Sequence, residues 1–434
     1  MADRAGERRP GVQLPALDQP YLDAVARGAG DALAALVLAE ESWVHRRVET
    51  LDVLSEEIAR RQVSVDFALP DALRPALRVG EGQAVVPVAL LRKQILRNFD
   101  LRNEAEEAVS VLARDHTALL TGAALLAQAS DAVRDLGPGL AGRLLAVVRS
   151  PDATSGRERL AALEAAAEHD VAVAALFAHE PTARLLGDLA ENYPLLAVLD
   201  DTARRRIVKY RYDSFLAARP GWRVAVGLDP LVIRLSVPAA ARGARYHAEV
   251  ALPEELRSVG AALLDDETGE VHDEDPDADR VALYAADVPL GARPEVVVAI
   301  RPQRRGLPSA ALGVAVVVCL VLASGAFGGR LSAAVAGPPI AVLLAASAVF
   351  AGAVVRAGEH RMVQELFAGP RRALVAAGMA AVIAATALAF QFGVVTWIWR
   401  AAFAVALAAA AVLALFVWRC RPNLRIQEYP WRQS

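Results

Sequence analysis

Two short patterns have the spacing of a ligand-binding loop. Residues 137–142 (GPGLAG) fit the GxGxxG pattern of dinucleotide-binding loops, and Asp275, Asp277 and Asp279 alternate like the start of a calcium-binding loop. A dinucleotide loop follows a strand, whereas a helical run precedes residues 137–142, so we interpret them as a connector between helices. The aspartates lack the turn glycine and the closing glutamate of a calcium loop, and we interpret them as part of a solvated acidic loop.

The histidines lack the spacing of a metal site. Zinc-binding helices repeat histidine at short fixed intervals, as in HExxH. The seven histidines of this chain are His45, His116, His169, His179, His247, His272 and His360. Asp115 precedes His116 and His247 lies two positions before Glu249, but adjacent pairs of this kind arise readily by chance. The sequence therefore assigns no catalytic, cofactor-binding or metal-binding residue, and no cofactor.

The cysteines and lysines lack the surroundings of an activated nucleophile or a phosphate-binding loop. Cys319 lies inside an apolar stretch and Cys420 beside another, whereas a reactive thiolate needs an exposed, electropositive setting. Neither Lys93 nor Lys209 follows the glycine run of a Walker A loop. We therefore do not expect an enzyme, although an active site assembled from dispersed residues stays an alternative.

Charge divides the chain into two parts. The first 306 residues hold 37 basic and 47 acidic side chains, and residues 307–434 hold 10 basic and 3 acidic ones. The basic run Arg204-Arg205-Arg206 lies in the acidic part, so it favours intramolecular or lipid contacts and excludes nucleic acid as a partner. A mean hydropathy of +0.31 is too high for a purely soluble protein.

Four apolar stretches between residues 307 and 418 have the length of transmembrane helices. Each provides the roughly 20 residues that cross about 30 Å of hydrocarbon. The predicted spans are 309–329, 331–355, 373–392 and 394–418, followed by a tail over 419–434. This pattern predicts an all-α membrane domain of four helices, and the lipid bilayer is its first partner.

Arginine placement predicts the orientation of these helices. One side carries eleven arginines, against Arg330 and Arg400 on the other; the eleven are Arg301, Arg304, Arg305, Arg356, Arg361, Arg371, Arg372, Arg419, Arg421, Arg425 and Arg432. The positive-inside rule makes the eleven-arginine side cytoplasmic. The first residues lack an apolar signal-peptide region. We therefore expect a multi-pass protein of the bacterial inner (plasma) membrane with both termini in the cytoplasm.

Polar and small residues near the outer ends of the spans have ordinary structural interpretations. Arg400 lies beside Trp397 and Trp399, which indicates an interfacial arginine that extends toward water. Gly325 and Gly329 form a GxxxG spacing, which predicts close helix packing within the chain or in a homo-oligomer.

Hydrophobic periodicity divides the cytoplasmic part into helical and strand-rich regions. We predict a disordered N-terminus over residues 1–20, a helix over 21–59, and a β-sandwich-like domain formed by 60–115 and 200–302. The sandwich is interrupted by a helical insertion over 116–199. The fold class is therefore an α+β cytoplasmic region followed by the membrane helices. Two separate soluble domains are the alternative.

Two segments next to these domains have distinct charge patterns. Asp265–Asp279 contains nine acidic residues, and because an anionic leaflet repels acidic groups we expect this loop to project away from the bilayer. In Gly358–Phe367 the apolar side chains share one face, which predicts a short amphipathic helix. That helix would lie at the membrane interface or pack under the β-domain.

Three phrases in the strand-rich region carry a resemblance to known sequences. They are Gln62–Phe67 (QVSVDF), Asn98–Arg102 (NFDLR) and Arg245–Pro253 (RYHAEVALP). Together they resemble uncharacterised multi-pass membrane proteins of GC-rich bacteria, which pair a cytoplasmic strand-rich domain with C-terminal helices. The resemblance supports the architecture and implies no activity and no site residue.

The architecture leads to three hypotheses about function. The first is a membrane-anchored cytoplasmic binding or regulatory protein that contacts a protein partner through its cytoplasmic domain. The second is a small transporter or channel component, oligomeric through Gly325 and Gly329. The third is an enzyme with a site not visible in the sequence, for which His116, His247 and carboxylates would have to meet in one pocket.

Overall fold

The computed structural model divides the chain into two compact units. It describes residues 19–55, 57–80, 82–134, 136–200, 205–216, 221–225, 227–241, 245–266, 268–275, 281–285, 288–289, 292–303, 307–327, 360–390 and 395–420. Unit 1 comprises residues 1–45, 66–95 and 101–208, and unit 2 comprises 46–65, 96–100 and 209–434.

Helices and strands are numbered in chain order. The helices are α1 (Gln19–Leu38), α2 (Arg74–Leu77), α3 (Arg114–Ala132), α4 (Pro138–Val148), α5 (Ala153–Ala166), α6 (Val171–Ala178), α7 (Glu180–Glu191), α8 (Trp222–Ala225), α9 (Leu307–Phe327), α10 (Arg361–Leu366), α11 (Ala368–Ala389) and α12 (Val395–Arg419). The strands are β1 (Val44–Val53), β2 (Ile58–Phe67), β3 (Arg78–Gly80), β4 (Gln83–Arg92), β5 (Arg97–Asn103), β6 (Ser110–Val111), β7 (Asn192–Asp200), β8 (Arg206–Phe215), β9 (Leu231–Ser236), β10 (Tyr246–Ala251), β11 (Leu256–Asp265), β12 (Val271–Asp275), β13 (Val281–Ala285) and β14 (Pro294–Pro302).

Unit 1 packs helices against a four-stranded sheet. The sheet has the order β3-β4-β7-β6, and its neighbouring strands run antiparallel. One hydrophobic core joins side chains of α1, α3–α7, β4 and β7, including Leu33, Leu125, Leu144, Leu186 and Leu196. The Asp152 and Asp170 side chains accept backbone N–H bonds in the first turns of α5 and α6, which fixes where these helices begin.

Unit 2 contains a β-sandwich and the membrane helices. A six-stranded sheet in the order β13-β10-β1-β2-β8-β5, whose strands lie mainly in this unit, faces a four-stranded sheet in the order β12-β11-β14-β9. Alternate residues of both sheets meet in one core; Leu51, Tyr246 and Val250 come from the first sheet, and Ile233 and Val298 from the second. This is the alternation expected when two sheets bury one face each.

Three of the described helices are long and apolar enough to cross a membrane: α9, α11 and α12. They pack on one another through small side chains such as Ala315, Ala381 and Ala406, as helices do in lipid, where apolar burial does not favour association and close contact does. They correspond to the predicted spans 309–329, 373–392 and 394–418. The predicted span 331–355 and the tail 421–434 lie outside the described residues.

The structure corrects three expectations drawn from the sequence. The helix predicted over 21–59 ends at Leu38, and its second half forms β1 and the start of β2. The strands assigned to one sandwich are distributed over two units, because β3 pairs with β4, and β4 and β6 both pair with β7 in the sheet of unit 1. Asp265–Asp279 is not all loop: β11 includes a buried Asp265, and β12 follows.

Candidate functional site

Strands of the six-stranded sheet bury a charged cluster. Glu49 on β1 is fully buried and forms an ion pair with Arg61 on β2. The hydroxyl of Tyr246 on β10 donates a hydrogen bond of 2.7 Å to the second carboxylate oxygen of Glu49. Tyr210 and Tyr212 on β8 lie close enough for their rings to stack, with centroids 6.3 Å apart. We call Glu49, Arg61, Tyr210, Tyr212 and Tyr246 the sheet cluster.

Strand alternation positions the sheet cluster. Side chains two residues apart in a strand share a face, and Glu49 therefore points to the same side of β1 as the buried Leu51 and Val53. The buried Arg47 lies on this side as well and is paired in register with Tyr246 of the parallel neighbour β10. The charged groups are thus an extension of the sandwich face on which the apolar side chains lie.

Burial and charge pairing shift the pKa values in the sheet cluster. Burial is the largest influence on the pKa of Arg61 and by itself would lower it, but the charge and hydrogen bond of Glu49, together with Tyr212 and Tyr246, raise that pKa above its ordinary value. Burial raises the pKa of Tyr210, and burial together with the Glu49 charge raises the pKa of Tyr246 well above its ordinary value. The cluster therefore holds a charged arginine and neutral tyrosines at physiological pH, and both Glu49 oxygens are engaged within it.

Lys93, at the start of the loop after β4, is a buried cation of a different kind. Its ammonium group donates a 2.9 Å hydrogen bond to the carbonyl oxygen of Val147 at the C-terminal end of α4. Burial, followed by the charge of Arg159, lowers the pKa of Lys93 to about 8. Because a helix C-terminus carries partial negative charge, Lys93 stabilises the end of α4 in unit 1.

The helical block of unit 1 contains an open groove of about 660 Å³ between α1, α3 and α4. Most of its lining is apolar, including Leu119 and Leu126, and charge is supplied by Asp31, Asp131 and Arg149. Ser130 adds a hydroxyl group, and the residues that line the groove include neither histidine nor cysteine. The groove is a concave, mostly apolar surface with a few polar side chains.

The sandwich core of unit 2 continues into the ends of the membrane helices. Phe416 and Cys420 at the end of α12 belong to the same buried cluster as the sandwich side chains, and so do Met362 and Phe367 around α10. Gly227 has a φ of +78°, and a Cβ at this position would lie 2.5 Å from the Phe416 ring. A glycine is therefore required where the loop after α8 passes over Phe416.

Arginines surround the end of α12. Arg301 on β14 donates a 2.9 Å hydrogen bond to the Arg419 carbonyl oxygen, and Arg257 on β11 donates one of 3.2 Å to the Cys420 carbonyl oxygen. Arg223 donates two hydrogen bonds, of 2.6 and 3.2 Å, to the carboxylate of Asp229. This pairing, together with the positive charges of Arg301 and Arg419, lowers the pKa of Asp229. We call Arg257, Arg301 and Arg419 the helix-end arginines.

The GxGxxG segment and the histidines noted in the sequence can be located in the fold. Gly137 directly precedes α4 and residues 138–142 form the first turns of that helix, so only the start of the segment 137–142 lies in the connector between α3 and α4. His116 is exposed on α3 of unit 1, whereas His247 lies on β10 of unit 2, with its Nε2 3.9 Å from a Glu249 oxygen. Asp277 and Asp279 lie outside the described residues. In the described parts of the chain, His, Cys, Asp and Glu side chains form no group of three or more that would hold a metal ion.

The predicted basic run forms intramolecular contacts, which is one of the two kinds of contact, intramolecular or with lipid, that the sequence favoured. Arg205 pairs with Asp66 through two hydrogen bonds, and Arg206 lies 4.0 Å from an Asp200 oxygen. In the predicted amphipathic segment, Met362, Val363, Leu366 and Phe367 are all buried in the sandwich core. Of the two positions proposed for that segment, the structure selects the one under the β-domain.

The residues near the N-terminal end of α12 occupy two different environments. Arg400 lies over the ring of the exposed Trp397, 5.7 Å from its centroid, as expected for an interfacial pair. Trp399 is fully buried instead, because its ring packs on Gly325 of α9, where a Cβ would lie 2.2 Å from the ring. Gly325 therefore permits a contact within the chain. Gly329 lies outside the described residues, and the homo-oligomer stays a prediction.

Sequence reasoning missed the sheet cluster and the helix-end arginines. Glu49 lies in a segment interpreted as helix, and the available signal was the alternation of Arg47, Glu49, Leu51 and Val53 on one face of a strand. Arg301 was counted for topology, and its contact with α12 is not encoded in nearby sequence. A scan against models of protein families finds no match to this sequence, and a search among curated proteins finds none.

Proposed function

We propose that this protein is a membrane-anchored binding or regulatory protein whose cytoplasmic β-sandwich is coupled to its transmembrane helices. The observation that carries the proposal is the shared core: buried side chains from both sandwich sheets, α10 and the end of α12 form one cluster. The proposal includes that the protein crosses the bacterial inner membrane several times and has both termini in the cytoplasm. The distribution of arginines along the sequence supports this orientation.

The shared core supports coupling because packed interiors transmit displacement. Phe416 is fully buried, and its ring lies 6.1 Å from that of Phe367. Interiors at crystal-like density deform little, so a shift of the sandwich face moves the side chains it touches. A ligand or partner that binds the cytoplasmic part can in this way alter the membrane helices, and the reverse also holds.

Matched alanine substitutions on α12 test the coupling. Phe416 lies in the sandwich core and Leu413 in the core of the membrane helices, and both are fully buried. In full-length protein in nanodiscs, we expect Phe416→Ala to increase hydrogen exchange in β9 and β14. Leu413→Ala should loosen the helices and leave these strands protected. Equal exchange in β9 and β14 for the two variants would remove the basis of the proposal.

Site-specific photocrosslinking in cells tests binding itself. A photoreactive residue is introduced at Tyr284 in the sandwich or at Val171 in the helical block, both exposed, with the exposed Leu320 of α9 as the control. We expect a discrete protein adduct from a cytoplasmic position that Phe416→Ala weakens, and none from Leu320. Adducts confined to Leu320, or the absence of adducts at both cytoplasmic positions, would contradict the proposal.

A further inference from the structure

The helix-end arginines concentrate positive charge at one end of α12. Arg257 and Arg301 are directly paired across β11 and β14, and each donates to one of the last carbonyl oxygens of the helix. The helix end supplies a partial negative charge of about one half. The charge of the Asp229 carboxylate acts on Arg301 and Arg419, and both oxygens of this carboxylate accept hydrogen bonds from Arg223. Positive charge therefore exceeds negative charge among the groups named.

Two of these arginines have buried hydrogen-bonding groups that remain to be satisfied. The Nε atoms of Arg301 and Arg419 are inaccessible to solvent and have no hydrogen-bond partner among the described residues. Arg301 as a whole is 7% exposed. Buried donors are nearly always satisfied in folded proteins, and leaving a charged one unsatisfied is costly. A phosphate group has a negative charge and several acceptor oxygens. It would therefore both neutralise the excess positive charge and accept hydrogen bonds from the unsatisfied N–H groups.

An exposed indole ring lies beside Arg419. Trp418 is 43% exposed and has the Arg419 guanidinium 5.2 Å from its ring centroid. Trp418 is at the end of the apolar helix α12, and an exposed tryptophan at such a position is typical of the headgroup level of a bilayer. The acceptor is therefore expected at the depth at which phospholipid phosphates lie.

We propose that Arg257, Arg301 and Arg419 bind the phosphate group of an anionic phospholipid at the end of α12. The lipid phosphate accepts hydrogen bonds from the guanidinium groups, and its charge offsets their mutual repulsion. The lipid acts as a third component that holds the sandwich strands β11 and β14 on the helix end.

The test compares two arginines of the same helix in the full-length protein. Arg419 and Arg400 each lie over a tryptophan ring, at opposite ends of α12. Arg419→Gln retains the backbone carbonyl that Arg301 binds, so it removes the side-chain charge without removing that contact. Retained phosphatidylglycerol is measured by native mass spectrometry on protein extracted from vesicles of phosphatidylcholine with increasing phosphatidylglycerol.

We expect wild-type protein to retain phosphatidylglycerol in preference to phosphatidylcholine. Arg419→Gln should weaken this retention about fivefold, which is the effect of one arginine near an anionic surface, and Arg400→Gln should leave it unchanged. Equal retention of the two lipids by wild-type protein, or equal weakening by both variants, would overturn the proposal. In phosphatidylcholine vesicles, stabilisation by inorganic phosphate to the level reached with phosphatidylglycerol would identify a free anion as the ligand and overturn the lipid assignment.

Discussion

Unit 2 contains two arginine clusters that differ in the groups that accept hydrogen bonds from their guanidinium groups. In the sheet cluster, Arg61 faces a fully buried carboxylate, and both oxygens of Glu49 are engaged by Arg61 and Tyr246. Among the helix-end arginines, helix carbonyls replace carboxylates as acceptors, and the nearby Asp229 is engaged by Arg223. The comparison shows that burial of an arginine does not by itself indicate a site. The sheet cluster supplies its own counter-charge and is structural, whereas the buried Nε atoms of Arg301 and Arg419, which have no hydrogen-bond partner among the described residues, point to a ligand.

The largest effect is expected in the balanced cluster. Glu49→Gln leaves Arg61 buried without its counter-charge, and we expect a loss of about 3–5 kcal/mol in the free energy of unfolding. Urea unfolding of the full-length protein in detergent measures the loss. The double variant Glu49→Gln with Arg61→Gln is the control, and its loss should be smaller than the sum of the two single losses. Additive losses would show that the two side chains do not act as a pair.

A smaller effect is expected when the hydroxyl of the same cluster is removed. Tyr246→Phe deletes the donor to the Glu49 carboxylate, and hydrogen bonds to charged groups contribute about 1.5–3 kcal/mol. The same unfolding measurement should show this loss. Tyr284→Phe, at a half-exposed position of the neighbouring strand β13, should leave stability unchanged. If the two phenylalanine variants behave alike, the buried hydrogen bond does not stabilise the cluster.

Lys93 extends the comparison to a buried cation in unit 1 that donates to a helix carbonyl oxygen. Its pKa in the folded protein is about 8, below the ordinary value of 10.5. Between these values the unfolded chain binds a proton that the folded chain has released, so the stability of unit 1 rises with pH from about 8 to 10.5.

The thermal midpoint of unit 1 as a function of pH measures this effect of Lys93. Lys93→Met should remove the rise, because a methionine fills the same space without titrating. The buried tyrosines of unit 2, whose pKa values are raised, act in the opposite direction above their ordinary pKa of 10. Wild type and Lys93→Met contain the same tyrosines, so the tyrosine contribution cancels in the difference between their thermal midpoints. A difference that stays constant from pH 8 to 10.5 would contradict the assignment to Lys93.

The smallest effect is expected among the helix-end arginines. In neutral detergent without anionic lipid, Arg419→Gln should change the free energy of unfolding by no more than about 0.5 kcal/mol. The change removes a cation that repels Arg301, as the lowered pKa of Arg301 indicates: burial comes first among its causes, and the charge of Arg419 contributes. A loss comparable to that of Glu49→Gln would show that Arg419 has a counter-charge after all and would end the contrast between the clusters.

The composition and spacing of residues within short segments predicted several helices of unit 2. Helices α9, α11 and α12 were expected because each contains about 20 predominantly apolar residues, and the buried face of α10 was expected from the spacing of Met362, Val363 and Leu366. Strand β1 was misread because Val44, Val48 and Leu51 fit the spacing of a helix, and because inward-facing Arg47 and Glu49 break the alternation of polar and apolar residues.

The sequence by itself determined which segments can enter a bilayer, since about 30 Å of hydrocarbon selects for length and apolarity within a single segment. It also determined the charge asymmetry on which the proposed orientation depends. Tertiary structure decided which charges are neutralised. Glu49 meets Arg61 from 12 residues away and Tyr246 from 197 away, and Arg301 meets the Arg419 carbonyl from 118 away. Electrostatic energy depends on distance in space and on burial, and neither quantity is contained in the spacing of residues along the chain.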